Sequence, residues 1–498
     1  MRAGEFKLSK EGSLVISFLL GALTAASFED PMYFPLYVIS LIAFGIILDT
    51  GYYEANFLKG YFFGFGFFLT AAWWLGFLKG LFFLPFLLAA FEALFFGLPA
   101  WLTNNDFLQK KSTRFYRFYL LIFIFEWLRG QGVFGFPWMS SGFYLQGTLF
   151  KDLLLLFGVY GCSFLIYFFV AAFLSFWSYR RAKDSVALLF LTAVLLLLPV
   201  TNFLQPEKIS SKPLKVTLLQ DNLLPEEKHE PDPDLRTKLI LNNFLRLISL
   251  IPDKTDLIVF PETSFPYTFP FNHSWKDYFR TLSKQKNAVL LVGVQTFSGG
   301  RYYNSIVAFS SLGAFDRYDK RYLVPFGEYV PFRDWFRFFS IVSNSIDFSS
   351  GKKDPLIKIG DFKCGAGICW ESAIPGYGRE LALKGANLLV FVTNDNWFLF
   401  SNQSRSHWRH TKAQADASGL AVVQSANAGI TGWYFNGKES VLVPWVVGAL
   451  KAEVPLVEPV KGIIKLQKLF ELTTIAFSLF FVVFYTEILQ ALKKFKNF

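Results

Sequence analysis

The sequence predicts a multi-span α-helical membrane bundle joined to an α/β sandwich domain, and three observations predict it. The chain of 498 residues is 53% hydrophobic and carries 62 Phe, too apolar for a water-soluble protein of that length. Its first part breaks into apolar runs, each near the length a helix needs to cross a hydrocarbon core. From about residue 213 the texture changes to short β-branched and aliphatic runs alternating with amphipathic stretches, the pattern of strands layered with helices.

The apolar runs lie at roughly 13–28, 32–48, 57–78, 81–103, 115–135, 152–178 and 185–203, with one more at 468–491. The first has the look of a signal peptide, with Arg2, Lys7 and Lys10 ahead of it and Ala25, Ala26 and Ser27 at its end. Because further spans follow, it reads as a retained helix. Counting basic residues in short loops gives the orientation. With the N-terminus inside, the inner side collects Arg2, Lys7, Lys10, Lys59, Lys110, Lys111, Arg114, Arg117, Arg180, Arg181, Lys183 and the tail lysines 493, 494 and 496. The outer short loops hold only Lys79, Arg129 and Lys151. An odd number of spans then puts the polar segment outside. The expected organisation is a membrane bundle of about seven helices over 1–205, a catalytic domain over 213–455 and a C-terminal transmembrane helix over 466–492.

In the polar segment, 216–220, 256–261, 289–294, 304–309, 388–392 and 420–424 read as buried strands, and 234–250 and 404–418 as helices. There is no repeat of solenoid period and no low-complexity segment. The net charge of +11 would suit nucleic acid, but the basic residues are dispersed and no RNA-reading motif stands out, so no nucleic-acid partner is expected. Three cysteines cannot build a disulfide framework, and Cys162 lies inside an apolar run. An extended run from Cys364 to Cys369 separates the thiols by about 16 Å, beyond bridging reach, so Cys369 is expected to be free. Of four histidines only His407 and His410 are close neighbours, and without a third ligand no metal site is expected.

Chemistry gathers at three stretches. Lys363-Cys364-Gly365-Ala366-Gly367-Ile368-Cys369-Trp370-Glu371-Ser372 ends a strand-like run on a thiol flanked by small residues, the form of a nucleophile elbow. Val259-Phe260-Pro261-Glu262-Thr263-Ser264 offers a carboxylate after a strand. Tyr318-Asp319-Lys320-Arg321 leads into Leu323-Val324-Pro325-Phe326-Gly327-Glu328 and offers an ammonium. A carboxylate that takes the thiol proton, a thiolate that attacks a carbonyl and an ammonium that faces the oxyanion make a working acyl-transfer set. Singly, Glu262 also reads as a solvated loop acid, Lys320 as one member of a surface charge cluster and Cys369 as a core thiol; it is their joint order that favours the set.

Glu262, Lys320 and Cys369 in these contexts resemble the Glu-Lys-Cys triad of the nitrilase, or carbon-nitrogen hydrolase, superfamily. With the spans, with Glu126-Trp127-Leu128-Arg129-Gly130 and Gly135-Phe136-Pro137-Trp138, with Tyr302-Tyr303-Asn304-Ser305 and with Val392-Thr393-Asn394-Asp395-Asn396-Trp397-Phe398, the chain is similar to bacterial apolipoprotein N-acyltransferases over nearly its whole length. The resemblance implies a nitrilase-like αββα sandwich on the periplasmic face of the inner membrane. It implies that Cys369 takes an acyl chain from a phospholipid donor as a thioester. The α-amine of a diacylglyceryl lipoprotein acceptor then receives that chain. By the same carry-over Glu262 serves as base for each nucleophile, Lys320 and the backbone N–H of Trp370 face the oxyanion, Glu328 and Glu371 orient the lysine and the elbow, and Trp138 contributes to substrate binding. No cofactor is implied, and the expected state is a monomer.

The rival readings are a membrane-tethered amidase or nitrilase with water as second nucleophile, which would have no need of so many spans, and a transporter, which would commonly show repeats. His407 and His410 share a helix face; only His407 matches a family histidine, and a structural role is expected of it. The chain departs from the family pattern at Gln220-Asp221-Asn222, where QGN is usual, at His229, where a tryptophan is usual, and at Leu399, where a glycine is usual; Trp370 is tyrosine in some relatives. The apolar but charged stretch at 331–342 is expected to dip into the outer leaflet as an arm.

Overall fold

The computed structural model describes residues 8–49, 55–77, 82–103, 113–133, 135–179, 182–195, 208–209, 212–228, 230–336, 347–399 and 401–495. The chain divides into two compact units, one of Met1–Leu204 with Lys465–Phe498 and one of Gln205–Ile464.

The first unit is helical: α1 (Lys10–Ala26), α2 (Phe34–Asp49), α3 (Asn56–Ala72), α4 (Leu84–Glu92), α5 (Leu94–Leu102), α6 (Arg114–Arg129), α7 (Leu153–Tyr179) and α8 (Ala182–Leu195). Ser9 caps α1 by accepting from the Gly12 N–H at 3.0 Å. A Cβ on Gly21 or Gly66 would fall onto the carbonyl of Phe63 or Phe18, so small residues let the α1 and α3 backbones touch, the usual device where helices pack without help from water. Among the described residues, five helical segments are long and apolar enough to cross a membrane: Pro31–Asp49, Asn56–Phe77, Leu84–Leu102, Leu153–Tyr179 and Lys461–Phe484.

Two expected spans form helices shorter than the hydrocarbon core is thick. The 17 residues of α1 and the 16 of α6 reach only about 25 Å at 1.5 Å per residue, against a core of about 30 Å. Gly130 ends α6 well before residue 135, and that helix carries Arg114, Arg117, Glu126 and Arg129. For the span expected at 185–203, residues 196–203 lie outside the described residues. So do Arg2, Lys7, Lys79, Lys110, Lys111, Arg180, Arg181 and Lys496 of the charge count, His229, and residues 337–342 of the expected arm.

The second unit holds two six-stranded sheets. The first is ordered β12-β1-β2-β3-β4-β5 and the second β11-β10-β9-β8-β7-β6. The strands are β1 (Leu214–Gln220), β2 (Leu257–Val259), β3 (Val289–Ser298), β4 (Arg301–Ser310), β5 (Gly313–Asp319), β6 (Leu356–Ile359), β7 (Phe362–Ile368), β8 (Leu388–Asn394), β9 (Val422–Asn427), β10 (Thr431–Phe435), β11 (Lys438–Leu442) and β12 (Gly448–Val454). The middle strands β1, β2 and β3 run parallel, as do β7, β8 and β9, and the outer strands pair antiparallel.

The period of two decides the layers. In β2, Leu257 and Val259 join Val390, Val392, Ala366 and Ile368 of the other sheet in the central core. Ile258 and Phe260 face outward to Phe244 and Leu247 of α9 (Pro233–Ser249) and to Phe279 and Leu282 of α10 (His273–Lys286). On the far side Leu389, Phe391 and Val422 pack on Tyr377 and Leu381 of α11 (Tyr377–Leu383) and on Trp408 and Ala415 of α12 (Gln403–Ser418). The result is an αββα sandwich, the architecture the sequence led one to expect.

Candidate active site

Each chemical group sits where a strand stops. Cys369 follows β7 directly and its φ is +50°, in the left-handed region that a residue with a Cβ enters only when the surroundings hold it there. The thiol is half-buried. The small residues before it answer a packing need: a Cβ on Gly367 would fall into the Phe391 ring, and one on Gly365 would come within 3.0 Å of Ala386 and Leu381.

Glu262 follows β2 at the Pro261 turn and is 6% exposed. Its approach depends on Gly293 of β3, where a Cβ would fall onto the Pro261 carbonyl and 2.7 Å from the Glu262 Cα. Lys320 follows β5 and is 1% exposed. Its backbone is clamped on both sides, N–H to the Asn304 carbonyl at 2.8 Å and C=O from the Gly351 N–H at 2.8 Å.

A hydrogen-bonded chain links Lys320 to Glu262. Lys320 Nζ lies 2.8 Å from Glu328 Oε2, which also accepts from the Val324 N–H at 2.8 Å. Asn304 Nδ2 donates to Glu328 Oε1 at 2.9 Å and to Glu262 Oε1 at 2.6 Å. One amide thus spaces the two carboxylates. Glu371, fully buried, accepts from the Ile368 N–H at 2.8 Å, the Tyr318 hydroxyl at 2.7 Å, the Arg321 N–H at 2.9 Å and the Tyr322 N–H at 3.1 Å. It ties the elbow to the loop that carries Lys320.

Burial pushes the Cys369 thiol well above its ordinary range, Glu262 adds to that and Lys320 opposes it. The thiol therefore rests protonated. Burial also raises Glu262; Lys320 pulls it back, Glu328 raises it further, and Asn304 and Lys228 lower it. For Lys320 burial pulls downward, but Glu328, Cys369 and Glu262 outweigh it and hold the ammonium above the usual lysine range. A protonated thiol beside a carboxylate with raised proton affinity and a permanent cation can pass its proton to the carboxylate as it attacks a carbonyl.

The structure brings Glu262, Lys320, Glu328, Glu371 and Cys369, with the half-buried Trp370, to one end of the sandwich. Trp138 belongs to the helical unit, where it is 3% exposed and its carbonyl accepts from Arg129 Nη1 at 3.2 Å. Sequence reasoning gave no role to Asn304, Lys228 or Tyr318. Lys228 Nζ reaches the carbonyls of Glu262 and Thr263 at 3.3 and 3.4 Å and the Thr263 hydroxyl at 3.2 Å. A lysine in an acidic stretch gives no such signal, and Asn304 stands beside Ser305 in a strand bounded by Arg301 and Ser310, where a polar residue draws no notice. His407, of which a structural role was expected, contacts the elbow itself: its Nε2 lies 3.0 Å from the Cys369 carbonyl oxygen.

Comparison with known proteins adds an independent line. Residues 20–172 match the family model described as apolipoprotein N-acyltransferase N-terminal domain, and residues 236–446 match carbon-nitrogen hydrolase. An apolipoprotein N-acyltransferase of Pseudomonas aeruginosa strain UCBPP-PA14 is 31% identical over 445 residues, 84% of this chain and 84% of the relative. One of Shewanella oneidensis is 28% identical over 484 residues, 89% of this chain and 90% of the relative. One of Methylococcus capsulatus is 32% identical over 329 residues, and there the match spans 64% of this chain and 63% of the relative's length.

Proposed function

The chain belongs to the apolipoprotein N-acyltransferase family, and from that premise we propose that it moves an acyl chain from a membrane phospholipid, through a thioester on Cys369, to the α-amine of the N-terminal diacylglyceryl-cysteine of an apolipoprotein. In the first step Glu262 takes the thiol proton as Sγ adds to the ester carbonyl. The oxyanion forms against Lys320 Nζ and the Trp370 N–H. Collapse breaks the ester C–O bond, and Glu262 returns the proton to the departing lysophospholipid alkoxide. In the second step the free amine adds to the thioester carbonyl, Glu262 takes its proton, and collapse breaks the C–S bond, with the proton returning to sulfur. The two substrates use the site in turn, which makes the kinetics ping-pong.

The observation that carries this reading is the hydrogen-bonded chain Lys320–Glu328–Asn304–Glu262, whose two ends both act on the Cys369 thiol. It supplies a fixed cation for the oxyanion and a base whose proton affinity suits both a thiol and an amine. The five apolar helical segments support residence in a membrane, for which we take the bacterial inner membrane, with multiple passes, a monomeric chain and the sandwich on the periplasmic side. Phe326, Phe332 and Trp335, exposed at 51%, 54% and 76%, are the kind of aromatic surface that would meet a lipid leaflet beside the lysine loop. Trp138 and the segment reaching 342 remain candidates for contact with the lipid substrates.

Product analysis tests the reading. Purified protein given phospholipid and a synthetic diacylglyceryl-cysteine peptide should yield N-acylated peptide and lysophospholipid in equal amounts. Release of free fatty acid with no acylated peptide would instead assign the chain to the hydrolases.

A further inference from the structure

His407 takes no part in the two steps above, yet it is bonded to the nucleophile's own backbone. Its ring is 1% exposed and both nitrogens are engaged, Nδ1 at 2.8 Å from Asp395 Oδ1 and Nε2 at 3.0 Å from the Cys369 carbonyl oxygen. Asp395 is itself 1% exposed, and the same Oδ1 accepts from the Thr393 hydroxyl at 2.6 Å. Thr393 lies near the end of β8, Asp395 opens the 3-10 turn directly after it, and His407 comes from α12, so the assembly rests on regular elements.

The hydrogen-bond inventory fixes the protons. A peptide carbonyl only accepts, so Nε2 carries a proton. Nδ1 lies against Asp395 Oδ1, a partner that favours a proton there as well and with it the imidazolium form. Burial alone would discharge the ring, but Asp395 and the Cys369 carbonyl outweigh it and hold His407 above the ordinary histidine range.

A trans peptide points its C=O and N–H in opposite directions. Anchoring the Cys369 carbonyl on the ring therefore also aims the Trp370 N–H, on the far side of the same peptide plane. A cation on the carbonyl oxygen draws electron density from the amide and makes that N–H a stronger donor. The positive φ of Cys369 needs such an anchor, because a left-handed non-glycine residue is held only by its surroundings.

We infer that His407, held by Asp395, is a positioning residue that aims and polarises the Cys369–Trp370 peptide so that its N–H binds the oxyanion in both acyl-transfer steps. This rests on the thioester chemistry proposed at Cys369. Asp395 and Thr393 are part of the same device.

Two rates on the same thiol separate positioning from general disruption. Alkylation of Cys369 by iodoacetamide displaces iodide and forms no oxyanion; thioester formation from phospholipid does. In full-length His407→Leu, single-turnover thioester formation should fall on the order of 10²-fold, with the apparent phospholipid KM and the alkylation rate within about twofold of wild type; Asp395→Asn should slow thioester formation likewise, while its alkylation rate, freed of a carboxylate that raises the thiol, should not fall. His407→Gln, which can still donate to the carbonyl, should recover part of the loss. Equal falls in alkylation and acylation, or wild-type acylation in His407→Leu, would overturn the inference. Nitrogen NMR of the wild-type protein labelled in histidine gives a check that needs no variant. Both ring nitrogens of His407 should stay protonated to higher pH than those of an exposed histidine, and a ring that loses its proton below the ordinary histidine range would overturn it too. A wild type that never forms the thioester would remove the parent reading, whereas a wild type that forms it beside unaffected variants would remove only the role of His407.

Discussion

Lys320 Nζ and Glu328 Oε2 sit 2.8 Å apart, with the lysine side chain 1% and the glutamate 12% exposed. Breaking a buried pair from one side leaves an uncompensated charge, at a cost of about 3–5 kcal/mol. Glu328→Gln should therefore lower the temperature of half-inactivation in detergent. It should also cut the acylation rate by roughly 10²–10³-fold, because the oxyanion donor is no longer held in place. A variant that keeps both the stability and the rate would mean that the pair has no part in placing the lysine.

Glu262 raises the proton affinity of the Cys369 thiol, which makes opposite effects of one mutation predictable. Removing the carboxylate charge in Glu262→Gln lowers the thiol's affinity for its proton, so alkylation by iodoacetamide at pH 7.5 should speed up. Acyl transfer in the same variant should fall by at least about 10²-fold for want of a base. Loss of both reactivities together would show the carboxylate acting on the fold rather than on the proton.

The raised Glu262 also sets the acid limb of the pH profile. As pH falls through its folded-state pKa the base is protonated and the rate drops, so the limb in kcat/KM should lie above the ordinary glutamate value of about 4.3. A limb at or below that value would contradict the burial argument.

Gly293 is required by what lies beside it. A Cβ there would displace the Pro261–Glu262 turn, so Gly293→Ala should keep the protein folded by circular dichroism while slowing thioester formation by about 10²-fold, the usual consequence of moving a catalytic group by an ångström. Unchanged kinetics would show that the turn has room to adjust.

Asp221 stands where the family pattern has glycine. Among the described residues neither of its carboxylate oxygens has a hydrogen-bond partner, and it is fully buried. Burial pushes its carboxyl up to about 6, net of the opposing pull of Lys228. A pKa raised on folding favours the folded state below the unfolded value near 4 and works against it as pH climbs through 6. Asp221→Asn should accordingly be more stable than wild type at pH 7.5, by about 2–3 kcal/mol, with the advantage fading towards pH 4. No difference at pH 7.5 would mean that the carboxylate is better solvated than its surroundings indicate.

The sequence made the sandwich and its reactive corner legible for physical reasons. Buried parallel strands such as β3 and β8 read as unbroken aliphatic runs. Edge strands were missed for the converse reason: β11, Lys438–Leu442, is largely exposed and carries no such pattern. Helix α10 was missed because His273–Lys286 buries only Phe279, Leu282 and Ser283, too few to register as a stripe, and its start is marked by the Asn272 side chain accepting from the Trp275 N–H. The ends of α1 and α6 were overrun because hydropathy continues past the residues that stop the helix. Glu262, Lys320 and Cys369 drew notice because each directly follows a strand-like run, Glu262 and Cys369 at the ends of parallel strands and Lys320 at the end of the antiparallel edge strand β5. The bridging by Asn304 and the anchoring by His407 could not, since each joins segments far apart in the chain, by 42 residues for Asn304 to Glu262 and 38 for His407 to Cys369.

The most direct test of the central claim is the intact mass of the protein after a brief incubation with phospholipid and no acceptor. Wild type should gain one acyl chain, mapped to the peptide bearing Cys369 and released by neutral hydroxylamine, and should lose it on addition of a diacylglyceryl-cysteine peptide as the N-acylated product appears. An acyl adduct absent from wild type, located on another residue, or still formed in Cys369→Ala would contradict the account.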